Sequence, residues 1–402
     1  MSNALYVLLS QDWAGLAIAL AVAAAGGALW FWGRRAAGRW QRRSGVGVLV
    51  VAAVLAAGST VHIVRTGSAR AEHPPPGELV DVGGYRMHLL AEGEARGKPT
   101  VVWLPGGHGA GLYLHHLHKT LSNEARSVLI DRPGAGWSDA GPFPRSTALE
   151  AEEVVKVLER AGERPPFVLA GHSFGGLLAA NVARRHPELT AGVVLLDPTP
   201  PDTIIYAPYN PVLGNMRAGL MVSAVLNLFG ISEAMLAGAS SAEADPEVAR
   251  ILNLMEERLG PELIASLRAV ESGTRARIAT ASIFAELSPE GMAARGWDTV
   301  VYDGDLADLP LYLVTPGDMA DSEAFFRTMA EANDAAGQEA FERRLRRFYG
   351  QTRVRYLAAS SRSEHIVTPA GTGHNFPYET PEFVIDVMRR VLTETTPRPV
   401  TP

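Results

Sequence analysis

The run Phe167-Val-Leu-Ala-Gly-His-Ser-Phe-Gly-Gly contains a Gly171-x-Ser173-x-Gly175 pentapeptide. With 40 Gly among 402 residues, the pentapeptide alone says little. Its setting says more, because an apolar strand-like run leads in and a helical pattern (LLAANVARRHP) leads out. A strand turning sharply into a helix lifts a serine Oγ above a sheet edge, where it can attack a carbonyl. Small neighbours are required there, since strand and helix pass so close. The alternative is a glycine-rich turn carrying an incidental serine.

A serine held this way needs a sheet beneath it. Short apolar or alternating runs at Tyr85 to Leu90, Thr100 to Leu104, Ser127 to Ile130, Phe167 to Ala170, Gly192 to Leu196 and Leu311 to Val314 read as strands. Between several of them lie helical patterns. Leu149 to Ala161 places Val154, Val155, Leu158 and Ala161 on one helix face. Strand–helix alternation predicts a mainly parallel sheet covered on both sides. The alternation breaks between about 203 and 299, where Met216 to Leu228, Glu247 to Leu259 and Pro261 to Ser272 read as helices. Helices inserted there are expected to form a lid over the carboxyl edge of the sheet.

From about Leu79 to Leu392 the chain resembles the α/β-hydrolase family, in its lid-bearing branch with a serine nucleophile. Val101-Val-Trp-Leu-Pro-Gly-Gly-His-Gly resembles the strand and loop that supply half of that family's oxyanion hole. Asp131-Arg-Pro-Gly-Ala-Gly-Trp-Ser-Asp139 resembles the loop after the next strand. Gly371-Thr-Gly-His-Asn-Phe, followed by Glu379-Thr-Pro-Glu-Phe-Val, resembles the late loop that bears the catalytic histidine. The resemblance implies a mostly parallel eight-stranded sheet flanked by helices. It also implies Ser173 as nucleophile and His374 as base, with oxyanion donors at the backbone N–H groups of Phe174 and Gly107. Where the family often has His-Gly, this loop has Pro105-Gly106, so its anchoring hydrogen bonds must differ.

The triad acid stays open at this stage. Many relatives carry it after the seventh strand, where Asp318 and Asp321 stand here at unusual spacing. Asp197, ending the run GVVLLDP, occupies a position that some branches use for the acid. Other conspicuous residues have plainer readings. His115, His116 and His118, with His108 nearby, lack both metal-binding spacing and a paired carboxylate. His365 opens a strand-like run and reads as structural. Arg343, Arg344, Arg346 and Arg347 form a basic helical face that is solvated or meets anionic lipid headgroups.

Composition then separates two regions. Apolar residues make up 47% of the chain and charged residues only 20%, which excludes a disordered chain. The absence of Cys excludes disulfides, Cys-ligated metals and a thiol nucleophile. Trp13 to Gly33 and Ser44 to Val64 are uncharged runs, each about 31 Å long as a helix, the thickness of a hydrocarbon core. Arg34, Arg35, Arg39, Arg42 and Arg43 crowd the loop 34–43 between them, which places that loop in the cytoplasm. Residues 1–64 are thus expected to be a membrane anchor hairpin, 65–77 a short tether, and 78–402 an extracytoplasmic domain. Asp12 and five arginines give the anchor +4, leaving −10 of the total −6 on the rest.

The expected activity is hydrolysis of a carboxylic ester or related acyl bond, of a lipophilic substrate if the apolar Met216 to Ile231 stretch lines its path. A serine nucleophile excludes the family members that use aspartate, the dehalogenases and epoxide hydrolases. An amidase or peptidase, a non-catalytic binding module and a transport accessory protein are the alternatives. No cofactor, no metal and no nucleic-acid partner is expected. The partners are a small acyl substrate and the bilayer.

Overall fold

The computed structural model describes residues 3–36, 38–201, 210–231, 246–288, 298, 300–318 and 335–395. Eight strands form one sheet: β1 (Glu78–Asp81), β2 (Arg86–Glu92), β3 (Thr100–Leu104), β4 (Ser127–Ile130), β5 (Phe167–His172), β6 (Thr190–Leu196), β7 (Leu311–Thr315) and β8 (Ser363–Val367). Their order is β1-β2-β4-β3-β5-β6-β7-β8. The β1–β2 and β2–β4 pairs are antiparallel and the others parallel.

Strand alternation divides the interior into two layers. Val101, Trp103, Val168, Ala170, Val194 and Leu196 face one way, towards α4 (His115–Leu121) and α13 (Pro381–Thr395). Val102, Leu104, Leu169, Val193 and Leu195 face the other, towards α5 (Thr147–Arg160) and α6 (Phe174–Arg185). The central strands are buried on both faces, which is why they read as continuous apolar runs. The helix α5 starts where the Ser146 side chain accepts the Leu149 N–H at 3.1 Å, a standard N-cap.

Two strands differ from the sequence expectation. β1 is only four residues long, and its turn into β2 is held by Gly83 and Gly84 N–H groups donating to Asp81 Oδ1 at 2.7 and 3.1 Å. Its apolar content is too small to register as a strand. His365 lies inside β8 rather than at its start, with Nε2 2.9 Å from Thr315 Oγ1 on β7.

At the N-terminus, α1 (Asn3–Leu9) precedes α2 (Ala14–Arg35) and α3 (Arg39–Glu72), and the last two pack against each other as a hairpin. Both are long and apolar enough to cross a membrane. The expected tether at 65–77 is a correction: α3 continues as helix through Glu72, and the chain leaves it at His73, before Pro74 to Pro76. Extending an existing helix costs little, so polar residues continue it until prolines stop it. The exit is also fastened. Trp137 Nε1–H donates to the His73 carbonyl at 2.7 Å, and His73 Nδ1 lies 2.9 Å from Ser266 Oγ.

Between β6 and β7 the described residues hold four helices and no strand: α7 (Asn210–Leu228), α8 (Pro246–Leu259), α9 (Pro261–Glu271) and α10 (Thr274–Glu286). The remainder of the insertion expected at 203–299 lies outside the described residues. After β7 come α11 (Ala335–Ala358), which carries the exposed Arg343, Arg344, Arg346 and Arg347, and the short α12 (Phe376–Glu379).

Candidate active site

Ser173 stands between β5 and α6 with φ 53° and ψ −122°, a left-handed backbone that non-glycine residues rarely adopt. The glycines around it are steric requirements. A Cβ on Gly171 would overlap the Gly175 carbonyl, and one on Gly175 would overlap the Leu104 carbonyl of β3. The Ser173 N–H donates to the Leu196 carbonyl at 3.0 Å, pinning the turn to the end of β6.

The next residue along β6, Asp197, is also left-handed, at φ 40°. Its N–H donates to the Val314 carbonyl on β7 at 2.8 Å. Its Oδ2 lies 2.7 Å from His374 Nδ1, so that nitrogen carries the hydrogen and Nε2 is left to act as a base. Asp318, by contrast, is exposed and meets the histidine loop through its backbone, its N–H donating to the Thr372 carbonyl at 3.0 Å. Asp321 lies outside the described residues.

His374 is held from two sides. The Gly373 N–H donates to Glu379 Oε2 at 2.8 Å, and Arg250 of α8 pairs with the same carboxylate at 2.6 Å. His172, immediately before Ser173, places its ring 4.7 Å from that of His374 and its Nε2 2.9 Å from the His374 carbonyl. A carbonyl only accepts, so His172 Nε2 bears a hydrogen. Burial, with His374 alongside, pushes the His172 pKa down to about 3 and keeps the ring neutral. Motif spacing leaves His172 unassigned, because it occupies a variable position of the pentapeptide.

The Pro105-Gly106-Gly107 loop lies directly over this turn. A Cβ on Gly106 would come within 3.1 Å of both Ser173 Cβ and His172 Nδ1. Gly107 itself is left-handed, at φ 55°. The Phe174 N–H is the first of α6, one of the donors that no helical carbonyl takes up. Phe174 also packs with Leu177, Ile283 and Leu287, an apolar wall shared by α6 and α10.

What anchors a loop without the usual histidine is Arg132. Fully buried, it donates to the Gly107 carbonyl and to the Pro105 carbonyl at 3.4 Å, and its guanidinium lies 5.1 Å from the Phe174 ring centre. Glu150 is 3.4 Å from Arg132, 3.3 Å from Arg145 and 3.2 Å from His108 Nε2. Burial by itself would raise the Glu150 carboxyl; Arg132, His108 and Arg145 override it and hold its pKa at about 2. Arg145 also pairs with Glu153, which accepts the Tyr85 hydroxyl at 2.6 Å. The motif around Asp131 contains Arg132, but only its packing reveals the contact with the loop.

His115, His116 and His118 share α4, but the last two turn to different partners. His116 Nε2 donates to the Pro377 carbonyl at 2.8 Å, and His118 Nδ1 lies 2.9 Å from Ser127 Oγ. Burial lowers the pKa of each to about 4.

Comparison with known proteins agrees with this architecture. Residues 99–218 match the model of the alpha/beta hydrolase fold family. An uncharacterized protein of Bacillus subtilis, YbdG, is 32% identical over 123 residues, covering 30% of this chain and 37% of that protein. Epoxide hydrolase 4 of Mus musculus is 31% identical over 116 residues, covering 28% of this chain and 32% of its own. The chain thus matches about a third of the length of these relatives. Wild-type Cfl2 from Burkholderia cenocepacia superposes with a TM-score of 0.51 at 21% identity, over 78% of this chain and 95% of that structure. The chain has the α/β-hydrolase fold, preceded by two apolar helices and interrupted by a helical insertion.

Proposed function

We propose that this chain is a membrane-anchored serine hydrolase that cleaves a carboxylic ester or related acyl bond of a lipophilic small substrate. The observation that carries the reading is the 2.7 Å pair of His374 Nδ1 and Asp197, formed at the sheet edge where Ser173 occupies its strained turn. Ser173 Oγ attacks the acyl carbon as His374 Nε2 takes its proton, and Asp197 stabilises the imidazolium. The N–H groups of Phe174 and Gly107 receive the oxyanion. His374 then protonates the departing alcohol. Water, deprotonated by the same nitrogen, attacks the acyl-enzyme and releases the acid.

The apolar wall of Phe174, Leu177, Ile283 and Leu287 supports an acyl chain as the part of substrate beside the serine. The helices at 210–288 serve as the lid. Anchoring rests on α2 and α3, with Arg34 4.9 Å from the Trp30 ring centre and Arg35 4.5 Å from that of Phe31, at the arginine-rich turn assigned to the cytoplasmic face. The domain from residue 78 onward then lies outside the cytoplasm. Likeness to an epoxide hydrolase does not carry its reaction here, since serine stands at the nucleophile position.

Labelling of the full chain in detergent with a fluorophosphonate probe tests the chemistry. Ser173 should become labelled, and Ser173→Ala should abolish both labelling and ester hydrolysis. A folded, unlabelled wild-type protein would overturn the reading in favour of a binding module.

A further inference from the structure

The helix α7 buries Ala224, Asn227 and Leu228 and leaves a second apolar face exposed. Arg217 is the only charged residue between 210 and 231. From residue 218 onward, Ala218, Gly219, Val222 and Val225 are exposed, Val222 at 59% and Val225 at 38%. The amide in the same stretch, Asn227, is fully buried and donates to the Ser272 carbonyl at 2.9 Å. Water would favour polar residues on that exposed face; hydrocarbon favours apolar ones.

The position of α7 supplies the second half of the argument. Its C-terminal end is seated on the hairpin: a Cβ on Gly15 of α2 would overlap the Leu228 carbonyl, and one on Gly58 of α3 would overlap the Phe229 carbonyl. Gly58 lies six residues inside the outward end of the 44–64 run, about 9 Å along a helix. Two backbones meet there with no side chain between them, the close approach typical of helices packed in lipid. Polar groups nearby turn inward as well. His62 of α3 is buried, with Nε2 3.3 Å from Asp12, which also pairs with Arg70 at 2.8 Å. On the other flank, Tyr6 and Leu9 of α1 join Ala224, Leu228 and Ile278 in one cluster, while Val7 faces outward at 46% exposure.

We propose that α7, with α1 beside it, is embedded in the outer leaflet as part of the membrane surface of this protein, its Val222 and Val225 face covered by lipid acyl chains. The proposal rests on the reading of α2 and α3 as a membrane anchor. The occupant is lipid because α7 is seated on the hairpin at a depth inside the apolar run, and its exposed face is apolar. One consequence concerns substrate: α10 touches α7 on one side and the wall beside Ser173 on the other, so the insertion connects the leaflet to the site.

The absence of Cys makes the test direct. Single cysteines at Val222, Val225, Val54 and Ala95 are labelled with an environment-sensitive fluorophore in the full chain, reconstituted in phosphatidylcholine nanodiscs. Val54 reports the hairpin, and Ala95 reports the exposed turn before β3, at the opposite sheet edge. The expected result is quenching at 222 and 225 by doxyl-labelled lipid, with protection from aqueous iodide, as at 54 and opposite to 95. Lipid quenching at 54 but iodide quenching at 222 and 225 would overturn the proposal and leave the anchor standing. Protection from both quenchers with self-quenching at 222 would assign the face to a second copy and overturn it too. Absence of lipid quenching at 54 would sink the anchor and this proposal together.

Discussion

Asp197 and His374, 177 positions apart in the chain, meet at 2.7 Å through Oδ2 and Nδ1. The acidic partner therefore comes from the end of β6, the strand beside the nucleophile strand, and not from the end of β7. Replacing Asp197 with Asn would keep the shape but favour the wrong imidazole tautomer. Turnover of a nitrophenyl ester by Asp197→Asn should fall by about 10⁴-fold. Asp318→Asn should retain near wild-type turnover, because that residue reaches the histidine loop through its backbone. The opposite ranking of the two variants would reassign the acid.

Arg132 and Glu150 form the buried support of the loop over Ser173. Removing Arg132 leaves Glu150 with Arg145 and His108, so the cost should fall below that of a wholly uncompensated buried charge, about 3–5 kcal/mol. Arg132→Ala should still lower the thermal midpoint in detergent and reduce kcat more than it raises KM, since the Gly107 carbonyl loses its donor. An Arg132→Ala protein with unchanged midpoint and kcat would show that the loop holds itself.

Glu271 ends α9 and is half-buried, accepting the Ala110 N–H at 2.9 Å and the Tyr113 hydroxyl at 2.8 Å. Burial, with the Asp131 carboxylate near it, raises its pKa from 4.5 to about 7. A raised carboxyl pKa means that the folded state holds the proton more tightly than the unfolded one. Its stabilising effect is complete below 4.5 and is lost as pH rises through about 7. Amide protection in α9 should fall across that window, and Glu271→Gln should flatten the dependence. A wild-type profile that is flat, or that rises with pH, would refute the assignment.

The proposed lipophilic acyl substrate implies a chain-length preference, with Ile283 packed against Phe174 next to Ser173. Nitrophenyl esters of longer acyl chains should turn over faster than acetate, and Ile283→Ala should narrow the difference by about tenfold or more, the value of one buried methylene. Faster turnover of acetate would count against a lipophilic acyl group beside Ser173.

Contiguous residues carried much of this molecule. Apolar runs bounded by Gly, Pro and Asp located six strands, and the two uncharged runs lie within α2 and α3 except for Trp13, because period and length are written locally. β1 is too short to stand out, and residues 65–72 read as part of a tether because Pro74 to Pro76 follow them, although the helix runs on to Glu72. The Gly171-x-Ser173-x-Gly175 setting marked a strand-to-helix turn, since a turn depends on residues within it. Tertiary structure alone decided which aspartate meets His374, that Arg132 grips the Pro105–Gly107 loop, and that α7 turns its valines outward. Each of these is a contact between residues tens to hundreds of positions apart, or a choice of face made by packing. No local pattern encodes either one.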